Sequence, residues 1–395
     1  MGTNFKLEYK LIQQTPLIHF QSQEEGACLR ASEVKPKLDC FIHANRSPIP
    51  ADWYIDKKQS NALNYKMKIE ACGNKLVDEP ERALFFGKGK QTVFYNSGLK
   101  LTILCFKEDL RSEIEACIRA FFLLHNFGTR QNKGFGSFMV SGTKNPTELL
   151  KSYVNENCHI YKMQYKTVQT RKDLYGKIFA DIAELSAMLR GGINVRTAPY
   201  IKAFIVEYAL KKGIGGDKRY LKQKGIVPAL GKSAEEEKVH KQLKEEQYRY
   251  ARAILGSAGT YTYKASEDSS EKIKIKIYTK KEEPVKRIPS PVLYKIVNNE
   301  LFIIVKRLPD AVYGKEFFFR EDIKKDKNTP VSKEQDEKKT VSLCVPKEKE
   351  LHVRELYDAY VKELNDKNSK QISTKNKRNR LTYFKENKDN QIVRL

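Results

Sequence analysis

The sequence predicts an α+β protein of two domains, the first with the βαββαβ order of a ferredoxin-like (RRM-like) fold. Three observations lead there. The chain has 395 residues, too many for one ordinary core. Its first apolar residues alternate with polar ones as in a half-buried strand. One strongly amphipathic helix then runs into a glycine-rich loop and a short apolar strand.

Phe5, Leu7, Tyr9 and Leu11 are interleaved with Lys6, Glu8 and Lys10, a strand that Thr15-Pro16 ends. Arg30 to Ala44 reads as a helix, with Ser32 and Glu33 in its first turn and Pro36 early, where proline is tolerated. Weak strands are expected at Leu63 to Ala71 and Ala83 to Phe86, and a better one at Leu99 to Phe106. Leu110, Ile114, Cys117, Ile118, Phe121 and Leu124 share one helix face, with Glu108, Asp109 and Glu113 toward its positive end and Gly128 as its stop. Ser137 to Val140 is the last strand of the set, which completes the ferredoxin-like order.

After Pro146 helical stretches are expected at Asp173 to Arg190, Pro199 to Lys211 and Ala234 to about Leu255. Strands follow at Lys272 to Tyr278, Val292 to Val297 and Leu301 to Val305, then a helix from Glu350 to Leu364. Glu321 to Thr340 reads as a solvated charged insertion, and Lys367 to Lys388 as a loosely held basic tail or an arm on a polyanion. The expected limits are 1–145 for the first domain, 146–366 for the second α+β domain and 367–395 for the tail.

Lysine and arginine outnumber acids 74 to 49, a formal charge of +25. Such an excess resists compaction unless a polyanion or acidic partner neutralises part of it, so nucleic acid leads the partner classes; a solvated lysine-rich surface is the alternative. Seven scattered cysteines without a CxxC pair indicate a reducing, cytoplasmic setting with no structural zinc. Nothing approaches the ~20 apolar residues a membrane span needs, and no run of signal-peptide length opens the chain. No cofactor is expected, and no acidic pair has metal-site spacing.

The stretch "HNFGTRQNKGFGSF", His125 to Phe138, concentrates glycines and cations. A Walker loop or a dinucleotide fingerprint would need a strand before it and a helix after it, so that phosphate meets the positive helix end. Here the order is reversed. Arg130 and Lys133, with exposed backbone N–H groups around Gly134 and Gly136, would have to attract the ligand, which suits a polynucleotide backbone with Gln131 and Asn132 at sugar or base edges. The competing reading is a C-capping glycine and a hairpin connection with incidental charge. Phe135 either stacks on a base or fastens the loop to the core.

"FGTRQNKGFGSF" resembles the glycine-rich loop of the RAMP superfamily of CRISPR proteins. Within it, "QTPLIHFQSQEEGACLRASEVKPKLDCFIHA" is similar to the opening of the family that forms the first subunit of the type III-B, or Cmr, effector complex. "ARAILGSAGTYTY" resembles that family's Leu-Gly-Leu-Pro element, and "KRIPSPVLYKIV" its Arg-x-x-Ser-Pro-Leu strand. Lys35-Pro36 and Asp39 to His43 depart from the cations and tryptophans of its first helix. The likeness covers the first ~140 residues and two short islands beyond, in keeping with the limited specificity of short motifs. It implies two tandem ferredoxin-like RAMP domains with helical and charged insertions. It also implies a non-catalytic, hetero-oligomeric RNA-binding role beside other Cmr subunits, near the 3' end of a guide RNA and assisting capture of target RNA.

Other candidate contacts are Arg30, Lys35 and Lys37 as one basic helix edge opposite the loop, and Arg287 before Ser290-Pro291. "LKKGIGGDKRYLKQKG", Leu210 to Gly225, is a second glycine and lysine cluster, read as a loop that orders on RNA or as an ordinary connection. The alternative function is a metal-independent endoribonuclease of the same superfamily that processes guide RNA, with His43 or His125 as general base. A basic RNA-binding protein unrelated to CRISPR is the third reading.

Overall fold

The computed structural model describes residues 5–18, 28–56, 60–72, 75–78, 93–96, 98–155, 158–166, 171–195, 198–227, 243–264, 272–279, 283–285, 287–321, 340–371, 381–386 and 391–395. The strand expected at 83–86, the first part of the helix expected from 234, and nearly all of the charged insertion lie outside these residues.

The first module is β1 (Lys6–Gln13), α1 (Ala31–Asn45), β2 (Lys66–Ala71), β3 (Leu99–Leu104), α2 (Glu108–Leu124) and β4 (Phe138–Val140). A small antiparallel pair, Lys75–Asp78 with Val93–Asn96, is inserted between β2 and β3. The sheet order is β2-β3-β1-β4, all antiparallel, which is the ferredoxin-like arrangement. Alternation decides the faces. Leu7, Tyr9 and Leu11 lie opposite Ile103, Leu101 and Leu99, and with Met67 and Ile69 they turn toward the core that α1 and α2 cover. Lys66, Lys68, Lys100, Lys6 and Lys10 take the opposite face.

A second four-stranded sheet repeats this plan with strands from widely separated parts of the chain. Its strands are β5 (Cys158–Gln164), β6 (Val292–Val297), β7 (Glu300–Lys306) and β8 (Val393–Arg394), in the order β6-β7-β5-β8. With α3 (Arg171–Arg190) after β5 and α4 (Val353–Gln371) after β7, the chain order is again βαββαβ. The protein is therefore a tandem of ferredoxin-like folds, as expected, and the second is interrupted by insertions after α3 and after β7.

By compactness the chain divides into two units. One comprises Met1–Glu184, Val292–Ile304 and Lys367–Leu395; the other comprises Leu185–Pro291 and Val305–Asp366. The second unit carries its own antiparallel sheet, Thr260–Lys264, Lys272–Tyr278, Glu316–Glu321 and Thr340–Cys344, in chain order. In the same unit Arg252 forks onto buried Asp217, with Nη2 2.6 Å and Nε 2.9 Å from Oδ2, an Arg–carboxylate geometry that holds both partners.

Several expectations are corrected. The described part of the helix expected from 234 to 255 is two short 3-10 turns around the two-residue strand Tyr248–Arg249. Tyr248 and Tyr250 are buried while Arg249 reaches Glu350, so the local period is two rather than 3.6. The helix expected from Pro199 starts at Phe204, after the strand Ala198–Ile201. Leu210 to Gly225 is folded, through a helix end, the Gly215–Gly216 strand and the helix Asp217–Gln223. The described tail residues are docked rather than loose: Leu381, Tyr383, Phe384 and Ile392 are buried, Tyr383 N donates to Asp181 Oδ2 at 2.9 Å, and Leu395 N donates to Ile160 O at 2.9 Å.

A docked tail has a measurable consequence. Tyr383→Ala should lower the unfolding free energy by about 3–5 kcal/mol, the range for emptying a buried aromatic site, read as a fall in the urea midpoint at constant m. A loosely held segment would leave the midpoint unchanged.

Candidate nucleic-acid interface

The glycine-rich loop leaves α2 at His125 and closes on itself before β4. Asn126 and Ser137 form an antiparallel bridge, Phe127 N donates to Gly136 O at 3.0 Å, and the tip turns through Lys133 N to Arg130 O at 2.8 Å. Arg130 sits at φ 55°, the left-handed region that costs a residue with a side chain about 1–2 kcal/mol. Glycine would avoid that cost, so the position holds a cation at the expense of the backbone.

The loop's inner side is packed against the first module. Thr15, fully buried, donates from Oγ1 to Gly134 O at 2.6 Å and accepts from Ser137 N at 2.9 Å. Gly136 has φ +65°, and a Cβ there would lie 1.9 Å from Phe127 O. A Cβ on Gly134 would lie 3.1–3.2 Å from Ile182, Ile296 and Phe179. These glycines therefore serve close packing, and the expectation of exposed N–H groups is corrected: Gly136 N donates to Pro16 O at 2.8 Å and Gly134 N to Gln131 O at 3.4 Å. Phe135 is buried and stacks on Phe179 at 4.5 Å, so it fastens the loop to the core.

Beneath the loop runs β6, an edge strand whose outward groups need partners. Tyr294 O accepts from Asn126 Nδ2 at 2.8 Å and Ile296 O from Ser137 Oγ at 2.6 Å. Between them Lys295, fully buried, donates from Nζ to His125 O at 3.0 Å and to Phe138 O at 2.9 Å. Burial pushes its amine well below the ordinary lysine range.

On the α1 side, Lys37 donates to Gln131 Oε1 at 2.8 Å, Asn126 O at 3.0 Å and Glu33 Oε1 at 3.2 Å, with its ammonium 4.7 Å from the Phe127 ring centre. Burial lowers its pKa, opposed by Glu33. Glu33 also accepts from Gly128 N at 2.8 Å. Lys35 points elsewhere, donating to Asp39 Oδ2 and Leu63 O, both at 2.9 Å, with its ammonium over the Tyr65 ring. Arg30, Lys35 and Lys37 therefore form no single basic edge, because residues two apart on a helix face different ways. Arg30 is exposed at the helix start.

What the loop presents outward is the stretch from Arg130 to Lys133. Lys133 is exposed with its ammonium 5.8 Å from the Tyr294 ring centre, while Arg130, Gln131 and Asn132 are half-buried. Partial burial lowers the Arg130 pKa. Gln131 already accepts from Lys37, which occupies its amide oxygen. Arg287 lies exposed in the other unit, in the two-residue strand that pairs with Ser257–Ala258.

The two histidines are held by main-chain carbonyls. His125 Nδ1 lies 2.9 Å from Phe121 O, capping the end of α2, and His43 Nε2 lies 3.0 Å from Asn61 O. Among the described residues no group of three or more His, Cys, Asp or Glu side chains is placed to hold a metal ion. No helix in them is long and apolar enough to cross a membrane.

Sequence reasoning missed Glu33, Thr15, Asn126 and Lys295 as the residues that shape this loop. For Lys295 a signal existed, a lone lysine inside the apolar run "VLYKIV". For Thr15 and Glu33 the partners lie far along the chain and leave no local pattern.

Tandem ferredoxin-like modules, the first closing on a glycine-rich loop with cations at its tip, are the arrangement that the resemblance to the RAMP superfamily implies. The family models described as the Cmr1 N-terminal domain and the Cmr1 C-terminal domain match residues 4–193 and 200–388. The chain belongs to the Cmr1 family, whose members are subunits of Cmr complexes. Among solved structures it is similar to Cmr1 from Pyrococcus furiosus in its apo form, at 8% identity, over 78% of this chain and 90% of that one, with a TM-score of 0.36. No curated protein sequence matches it.

Two outcomes test the loop's construction. Gly136→Ala should destabilise the protein by at least about 2 kcal/mol in urea unfolding, since left-handed strain adds to a backbone clash. For Lys295 the folded pKa lies below the unfolded one, so the unfolded chain binds more protons between the two. Stability then rises with pH through that window and levels off above about 10.4. Urea midpoints measured from pH 7 to 10 should climb more steeply in the wild type than in Lys295→Met.

Proposed function

We propose that this chain is a non-catalytic RNA-binding subunit of a type III-B CRISPR ribonucleoprotein. In this reading it touches the guide RNA near its 3' end and helps to capture target RNA, in the cytoplasm and beside other RAMP subunits. The observation that carries the assignment is the match of Cmr1 domains to both halves of the chain. The loop supports the RNA contact. Its inner atoms are bonded within the fold, and its tip carries two cations, one of them at a strained position, as sequence-independent phosphate contacts require. Residues 1–145 are then the RNA-facing module and 146–366 the body of the second, with 367–395 closing its sheet. Arg30 and Arg287 are secondary contacts; Lys35, Lys37 and the glycines shape the surface rather than touch the RNA.

The non-catalytic part of the reading is supported by the family match, and each of the two histidines gives one ring nitrogen to a main-chain carbonyl, which is an ordinary structural use. Incubation with repeat RNA in EDTA tests it: the expected outcome is intact RNA, and specific cuts that vanish in His43→Ala would overturn it. Purification of the native assembly should yield a guide of defined length with partner subunits. Arg130→Ala combined with Lys133→Ala should weaken RNA binding uniformly across sequences and flatten the log–log salt slope by up to about two units. An unchanged slope would assign the loop a purely structural role.

A further inference from the structure

We infer that Lys295 is a positioning residue for RNA binding: from within the second sheet it ties together the two ends of the glycine-rich loop and so holds its cationic tip in a binding-ready shape. The inference rests on reading that loop as the RNA contact.

Three observations carry it. Lys295 has no exposed surface, so its amine cannot meet a phosphate itself. Its acceptors are the carbonyls of His125 and Phe138, the residues between which the whole loop is strung. Its neighbours in the strand take the next layer in, Tyr294 at Asn126 and Ile296 at Ser137, so three consecutive residues hold both legs of one loop. Bonding at His125 also satisfies a carbonyl at the C-terminal end of α2, where free carbonyls would present partial negative charge to an approaching polyanion. A loop fixed in advance loses less freedom on binding than one that must be ordered by its ligand.

The decisive feature is that a tie and a phosphate contact alter binding differently. A residue that neutralises phosphate contributes about one unit to the salt slope, whereas a buried tie changes affinity at every salt concentration and leaves the slope alone. The experiment titrates a fluorescein-labelled single-stranded RNA with the full chain at several salt concentrations, for wild type, Lys295→Met and Lys295→Gln, with amide hydrogen exchange over residues 126–138. Lys295→Met should weaken binding on the order of tenfold, matching the loss of one or two buried hydrogen bonds, with the slope unchanged and with faster exchange at Phe127 and Gly136. Lys295→Gln, which keeps a donor group on a shorter stem, should fall between and serves as the test if the methionine variant does not fold.

Unchanged affinity and exchange in a folded variant would overturn the tie, and so would a slope lowered by one unit. If Arg130→Ala with Lys133→Ala leaves RNA binding intact while Lys295→Met still loosens the loop, the RNA reading fails and the tie stands. If the double variant flattens the slope while Lys295→Met changes nothing, the tie fails and the RNA reading stands.

Discussion

An edge strand needs something along its open side, and in this protein that something is the glycine-rich loop. The outward carbonyls of Tyr294 and Ile296 accept from Asn126 and Ser137, and Lys295 bonds the carbonyls at the loop's two ends. Leaving those groups unpaired in the interior would cost about 1–3 kcal/mol each, so loop and strand satisfy a need that neither meets alone. The positions of Gly134 and Gly136, the inward stack of Phe135 and the outward turn at Arg130 all follow from that seating.

Seen this way, the charge in the region has two distinct uses. Lys35, Lys37 and Lys295 bond carboxylates and carbonyls inside the fold, at the cost of partial or complete burial. Arg130 and Lys133 lie at the loop's tip. A net charge of +25 says only that a polyanion is favoured as partner. Which lysines are available to it is decided by packing, and composition does not report packing.

The first module was largely legible in the sequence because its signals are local. The alternation in β1, the apolar stripe of α2 and the glycines after it are each readable within about fifteen residues. Of the second module α3, β6, β7 and α4 were read close to their places, but β5 and β8 were not, since they are separated by more than two hundred residues and β8 is two residues long. Val292 to Val297 was recognised as a strand, yet no local pattern names Asn126 and Ser137 as its partners. Arg130 and Lys133, expected as contacts, lie at the loop's tip. The glycines were read as open to a ligand when their φ values and close contacts belong to packing.

The split second module also gives the chain a timetable. All strands of the first sheet have been made once β4 is synthesised, but the strand that seats the loop follows roughly 150 residues later, about 8–30 s at ordinary translation rates. The sheet that contains that strand closes only with Val393–Arg394, a further hundred or so residues along the chain. A newly made chain therefore has every strand of its first sheet before it has the strand that seats the loop, and the loop takes its final shape late.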